Sequence, residues 1–484
     1  MVNLGLRRLA IGATFAAVCA AAVAGCGGAA VDHSQDPAIT AAGGGRSPIA
    51  SIQDDRLWQP DLVHDVGARV RRLAATGASV IRVDMRWDRI ATRRPANPRD
   101  PADRAYDWGQ YDRIVSAARR SGVRLLFTVW GTPAWARDPT VRFDPRYPNE
   151  SIRPLHAQDL GDFAAAAARR YARQGVHMWE GWNEPNISLF LRPQYVRKGA
   201  RWVAESPATY SAMQKAFYAG IKSRDRRAQI AGGVTAPAGD RCPACPLDDP
   251  PVRVTPVDFI RALNARGLRP PMDFYSHHPY PLSGPRDFNL PNRTYVDLYN
   301  LNVLTRALDA TYLRRRPLWI TEVGFGTRPV PEYRIAFTPG QQAAYISDAY
   351  RRLRRNPRVR LFTYFFYQDN PRWSSGLLDV AGHAKPGLAA FEMPLAAATG
   401  GPVGVGARVD LVGQVRLAKG ATDVTIERRA GSGWVPLAVL ATSTDGSYSF
   451  TLRPRATTTL RARWSARAHS EHTSQPLTVQ VGAA

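Results

Sequence analysis

The 484-residue chain has very little lysine: only Lys198, Lys215, Lys222, Lys385 and Lys419, against a formal net charge of +25. The positive excess is therefore arginine, spread along the chain in runs such as Arg71-Arg72, Arg119-Arg120 and Arg314-Arg315-Arg316. Runs of this kind fit the solvated faces of amphipathic helices. No stretch interleaves basic and aromatic residues as nucleic-acid modules do, so nucleic acid is not an expected partner. Cysteine is also scarce, with four in all. Cys242 and Cys245 form a C-x-x-C pair in "RCPACP", a spacing shared by redox motifs and half zinc sites. A zinc site would need two further ligands, and no Cys or His pair of suitable spacing follows. A redox motif wants a strand before it and a helix after, whereas prolines surround this one. A short disulfide pinning a surface loop is the expectation, with no metal and no organic cofactor. With 44% hydrophobic and 22% charged residues the composition is globular, and the length suits one large domain plus a small one.

Long apolar runs are missing as well. The longest, Leu9 to Ala24, is too short to span a bilayer comfortably; preceded by Arg7-Arg8, it has the layout of a secretory signal. It ends in Val23-Ala24-Gly25-Cys26, which resembles the lipobox of bacterial lipoproteins, in which the cysteine is acylated and becomes the first mature residue. The resemblance implies a signal peptide over 1–25, a flexible Gly/Ala-rich tether over 26–46, and a lipid anchor at Cys26 holding the protein to a membrane. A plain signal peptide with an incidental Cys26 is the alternative. Either reading has the protein exported, anchored at the cell surface or secreted.

From Ser47 onward, short runs rich in Val, Ile, Phe and Trp alternate with segments of helical period. The strand-like runs are 48–53, 79–87, 123–130, 176–183, 228–234, 272–278, 317–324 and 359–367. Helical spacing covers Val63 to Ala75, Tyr111 to Ser121, Leu160 to Gln174, Pro207 to Lys222 and Gln341 to Arg354. This alternation predicts a parallel sheet with helices outside, and eight units predict a closed (β/α)8 barrel over 47–394. A doubly wound open sheet is the alternative, but no G-x-G-x-x-G follows the first strand. Small residues over 395–404 read as a linker. Beyond them, period-two segments separated by Gly, Asp, Ser and Pro predict a β-sandwich over 405–484, which resembles the immunoglobulin-like modules of exported bacterial enzymes.

In a (β/α)8 barrel the chemistry sits at the C-terminal strand ends. Those ends hold Asp84, Arg86 and Trp87; Trp130 and Trp135; Asn183 and Glu184; His278 and Tyr280; Glu322; and the stretch from Tyr367 to Trp373. Glu184 and Glu322, after strands four and seven, fall on one mouth. Glycoside hydrolysis needs such a pair: one carboxyl donates a proton to the departing oxygen while the other attacks the anomeric carbon, and retaining chemistry sets them about 5 to 5.5 Å apart.

"GWNEPN" together with "WITEVGFG" resembles clan A of the glycoside hydrolases, retaining (β/α)8 enzymes in which Asn-Glu-Pro ends strand four and a Glu ends strand seven. "NEPNISLFLRPQ", "TPAWA" and "SSGLLDVAGHAKPGLAAF" are similar to segments of family 39-like and family 5-like members. The resemblance runs from Ser47 to Pro394 and implies a carbohydrate substrate and a monomer. It implies Glu184 as acid/base and Glu322 as nucleophile, with Asn183 on the sugar 2-hydroxyl. The Tyr280 hydroxyl, in the "HPY" that begins at His278, would orient the nucleophile, and Arg82 would keep it ionised. Glu322 should then be lowered by Arg82 and Tyr280, and Glu184 raised.

Several residues keep two readings. Arg82 could be only a member of a core ion pair. Trp130, Trp135 and Trp373 could each pack or serve as a sugar platform. Glu180, four residues before Glu184 on the same strand, is expected to lie deeper and to pair with a buried group such as Arg82. Members of the clan often floor the reactive subsite with a tryptophan after strand eight, where this chain has Phe366 or Tyr367. A non-catalytic glycan-binding surface lipoprotein and a transglycosylase on the same barrel are the competing functions.

Overall fold

The computed structural model describes residues 38–42, 47–240, 251–285, 294–330, 335–398, 401–466 and 470–482. Eight parallel strands close into a barrel in sequence order: β1 (Ile49–Gln53), β2 (Val80–Arg86), β3 (Arg124–Trp130), β4 (Met178–Gly181), β5 (Gln229–Thr235), β6 (Phe274–His277), β7 (Leu318–Val323) and β8 (Val359–Phe365). Each falls within or beside one of the eight apolar runs. Helices of Val66–Ala75, Gly109–Arg120, Ala157–Tyr171, Ser206–Lys222 and Pro339–Arg355 cover the outside, where the helical periods lie. Three shorter helices, Pro256–Leu263, Leu301–Asp309 and Pro386–Glu392, are too brief to stand out by period.

Along every strand alternate side chains face the barrel axis. At the lowest level the eight strands contribute Ile49, Val80, Leu126, Met178, Ala231, Phe274, Trp319 and Leu361, one apiece, which pack into a single apolar cluster. Phe274 and Trp319 stack within it at 4.3 Å. The next level up is polar and buried: Ser51, Arg82, Thr128, Glu180, Ser276, Thr321 and Thr363. The barrel thus changes chemistry within one strand repeat, from a sealed floor to a hydrogen-bonded middle below the mouth.

The C-terminal residues form two antiparallel sheets over a separate core that includes Leu411, Ile426, Tyr448, Phe450 and Leu460. Two segments depart from the expected boundaries. Ala38–Ala42, inside the stretch read as tether, pairs antiparallel with Ser447–Arg453. Leu395–Ala397, inside the stretch read as linker, pairs with Val409–Gln414. Both are Ala-rich, which hides them from an apolar period, yet backbone groups suffice to extend an open sheet edge. The sandwich docks beneath the floor: Ser47 N donates to Asp445 (3.0 Å), Tyr350 donates to Gly413 O (3.1 Å) and Arg416 to Phe391 O (2.7 Å). Gly77, at φ +82, lies so close that a Cβ would stand 2.7 Å from the Arg416 backbone.

Candidate active site

Strand β4 stops at Gly181, where a Cβ would lie 2.0 Å from Oε1 of the buried Gln214, so a larger residue would push that side chain aside. The chain then turns through two left-handed residues, Trp182 (φ 76) and Glu184 (φ 38). Such conformations cost about 1–3 kcal/mol each and persist where the surroundings over-determine them. Here Trp182 N donates to Val129 O (2.9 Å) and its indole to Phe190 O (2.8 Å). Asn186 bolts the turn to the next loops, donating to Val254 O (3.0 Å) and accepting from Ala236 N (2.8 Å). The turn places Asn183 and Glu184 in the mouth. On the opposite wall the pairing register of β7 shifts between Ile320 and Val323. Consecutive residues Thr321 and Glu322 can therefore both bond inward, as the contacts below show.

Arg82 is wholly buried and central. Its Nε donates to Glu180 Oε2 (2.7 Å), its Nη1 to Glu322 Oε1 (2.6 Å) and to Gln53, and its Nη2 to Asn183 Oδ1 (2.9 Å). Burial alone would lower its pKa, but Glu180, Glu322 and Asp84 outweigh that and raise it, so the guanidinium stays charged. Glu180 also accepts from Thr128 (2.7 Å) and is fully buried, a wall residue below the mouth. Tyr280 donates to the other oxygen of Glu322 (2.7 Å). Burial and then the Glu322 charge hold the Tyr280 phenol well above its usual range, so it remains a donor.

His278 bridges the two glutamates. Its Nδ1 lies 2.8 Å from Glu184 Oε1 and 3.6 Å from Glu322 Oε2, and its Nε2 lies 3.1 Å from Thr321 Oγ1. Burial, then Arg82 and His277, push it well below the usual imidazole range, so it is neutral. With hydrogen on Nδ1 it donates to Glu184 while Nε2 accepts from Thr321. Its neighbour His277 faces away, bonded to Thr235 and to Val296 O. Ligating atoms of Glu184, His278 and Glu322 all lie within 4.8 Å of one another, and this is the group among the described residues that could hold a metal ion.

The two carboxyls differ in environment. Burial first, then the Glu322 charge, holds Glu184 well above the usual carboxylate range. Glu322 is pushed up to about 7, contrary to the lowering expected of it. Arg82 and Tyr280 do pull it down, but burial is larger and Asp84 adds to it.

Arg82, Asn183, Glu184, His278, Tyr280 and Glu322 thus form one hydrogen-bonded network. The tryptophans divide. Trp373 stacks on Tyr280 at 5.6 Å. Trp130 donates to Asp84 (2.9 Å) beneath the Arg86 guanidinium, 4.1 Å from its ring. Trp135 packs edge-on against Trp87, donates to Ala91 O and lies under Arg94, outside the network. Phe366 and Tyr367, at the end of β8, are both buried. Cys26, Cys242 and Cys245 lie outside the described residues. Gln53, at the end of β1, and Asp55, which opens the 3-10 turn Asp55–Trp58 just beyond it, also join the network and carried no assigned role in the sequence. Asp84 stood among the strand-end residues, two places from Arg82, but carried no assigned role.

No family model and no curated protein matches the chain. Solved structures do. A family 39 glycoside hydrolase from the gut symbiont Bacteroides cellulosilyticus WH2 superposes with a TM-score of 0.54 at 18% identity, covering 84% of this chain and 81% of that one. A glucosidase from Croceicoccus marinus gives 0.52 at 13% identity, covering 86% and 97%. The fold shared with both is the closed (β/α)8 barrel.

Proposed function

We propose that the protein is a retaining glycoside hydrolase acting on a polysaccharide or oligosaccharide by double displacement. The observation that carries this reading is the opposed pair Glu184 and Glu322, with ligating oxygens within 4.8 Å. That spacing fits retaining chemistry rather than the about 6.5–9.5 Å that an inverting enzyme leaves for water. Glu322, aimed by Arg82 and Tyr280, attacks the anomeric carbon. Glu184, protonated through its buried setting, gives its proton to the leaving oxygen. With the sugar on Glu322, Glu184 takes a proton from water, which attacks the same carbon and frees the nucleophile. Neutral His278 donates to Glu184 in both protonation states and fixes its orientation. Asn183, held by Arg82, faces the position of the sugar 2-hydroxyl, where a bond strengthens as the ring becomes oxocarbenium-like.

Proton NMR of the first-formed sugar tests the reading: retention is expected, and inversion would overturn it. Export and lipidation at Cys26 are part of the proposal and rest on the Arg7 to Cys26 segment. Cys26→Ser should move the protein from the membrane fraction to the soluble one, and an unchanged distribution would remove the anchor from the account.

A further inference from the structure

The sandwich lies below the barrel floor, but the two do not touch everywhere. A cavity of about 610 Å³ stands at their junction, lined by Arg124 and the start of β1 from the barrel and by Arg416 and Asp445 from the sandwich. Arg124 opens β3 and pairs in register with Val80. Leu126, two residues on, belongs to the floor cluster, so strand alternation sets Arg124 on the same axis-facing side, one level below the floor. It is exposed and makes no hydrogen bond or ion pair among the described residues. Arg416 is only 6% exposed. Its Nε donates to Gln414 Oε1 (3.0 Å) and its Nη1 to Phe391 O (2.7 Å), while Nη2 makes no hydrogen bond among the described residues, yet is not shut off from solvent. Burial pushes its pKa down to about 10, with only Tyr350 opposing, so it remains a cation at neutral pH. Asp445 is the one carboxylate on the cavity wall. Burial raises it, but bonds from Ser447, Ser47 N and Ser443 outweigh that and hold it below the usual carboxylate range. Its charge does not offset the burial of Arg416.

A second cavity, of about 330 Å³, adjoins the first, and Gly77 lines both. It carries Arg71 and Arg120 from two barrel helices and Lys419 from the sandwich. Arg120 bonds only the neutral Ser116 hydroxyl (2.6 Å), and none of the five cations pairs with a carboxylate among the described residues. A buried cation without a counter-charge is costly, and a bound anion supplies what the protein does not. Two joined recesses lined by five cations suit a linear chain with repeated negative groups rather than a single small ion. A flat bilayer surface does not reach a guanidinium recessed to 6% exposure, whereas one extended chain can.

We propose that the barrel-sandwich junction is a non-catalytic binding site for an acidic glycan, whose carboxylate or phosphate groups seat against Arg124 and Arg416 and continue past Gly77 toward Arg71, Arg120 and Lys419. The choice of a glycan rests on the glycosidase reading; the unpaired positive charge does not. The full chain is titrated with fluorescent polygalacturonate, with dextran of like length and with phosphatidylglycerol vesicles. Its thermal unfolding is followed in inorganic phosphate and in chloride at equal ionic strength. Polygalacturonate should bind, dextran and vesicles should not, and phosphate should raise the midpoint above its value in chloride. Arg124→Gln removes a side chain with no partner to lose, so it should fold as the wild type does. It should weaken polygalacturonate binding by at least about tenfold, the scale of a lost hydrogen bond to a charged group, and abolish the extra rise in phosphate. Arg306→Gln, an equal loss of charge at an exposed position on the helix Leu301–Asp309, should change binding by no more than about twofold, because exposed charges are screened. Turnover of 4-nitrophenyl glycosides should be the same in Arg124→Gln as in the wild type. Equal weakening by both substitutions would reduce the binding to general positive charge and overturn the site. Binding to vesicles but not to polygalacturonate would overturn the glycan. If the binding differences hold while no glycoside is turned over, the glycosidase reading falls and the anion site stands.

Discussion

The two ends of the barrel are built from the same eight strands and could hardly differ more. At the floor each strand gives one apolar side chain, the cluster is closed, and the sandwich covers it from below. At the mouth Glu184, Glu322, Asp84 and Asp55 crowd around Arg82 and Arg86, two of them at left-handed or irregular backbone positions. The sealed apolar packing lies below and the proposed chemistry above. The mouth can hold unfavourable features, such as a strained turn and raised carboxyl pKa values, because the floor does not depend on them.

Substitutions at the two ends should therefore separate cleanly. The largest effect belongs to the mouth: Glu322→Gln is expected to lower kcat/KM by about 10^4-fold, the scale seen when one member of a catalytic unit is removed. Its unfolding midpoint should stay near the wild type's. At the floor, Trp319→Ala removes a side chain that is 2% exposed. It should cost about 3–5 kcal/mol in denaturant unfolding while the folded fraction keeps its kcat. A loss of kcat in proportion to stability would erase the division.

Between these extremes lies the pH profile. The proposed mechanism requires Glu322 ionised and Glu184 protonated, so kcat/KM should be bell-shaped. Its acid limb should lie near pH 7, set by Glu322. Tyr280→Phe deletes a bond that lowers Glu322, so the limb should move to higher pH. Asp84→Asn removes a charge that raises Glu322, so the limb should move to lower pH. Shifts of the same sign would contradict the network. The smallest kinetic effect is expected at the barrel-sandwich contact. Arg416 bonds Phe391 O and lies over the Phe391 ring at 4.6 Å. Arg416→Met should lower the unfolding midpoint and leave KM unchanged.

The same contrast explains what was legible in the sequence. Eight apolar runs and the two glutamate motifs stand out because a barrel strand is apolar on both faces and because carboxyls beside tryptophan at a strand end are unusual. Arg82 and Tyr280 were reached through the resemblance to clan A, not through their own spacing. Asp55 was not legible, since its meaning depends on Gln53 and on a neighbouring strand rather than on its own surroundings. The rise of Glu322 was missed because a sequence shows which charges are near but not how completely water is excluded. Ala38–Ala42 and Leu395–Ala397 were read as tether and linker because backbone pairing leaves no hydrophobic trace.

Trapping the protein with an activated 2-deoxy-2-fluoro glycoside tests the central claim most directly, read by peptide mass spectrometry after digestion. A stable fluoroglycosyl adduct on the peptide bearing Glu322, absent in Glu322→Gln, is the result predicted. Turnover without any adduct, or an adduct on another carboxyl, would contradict the assignment of Glu322 as the nucleophile of this barrel.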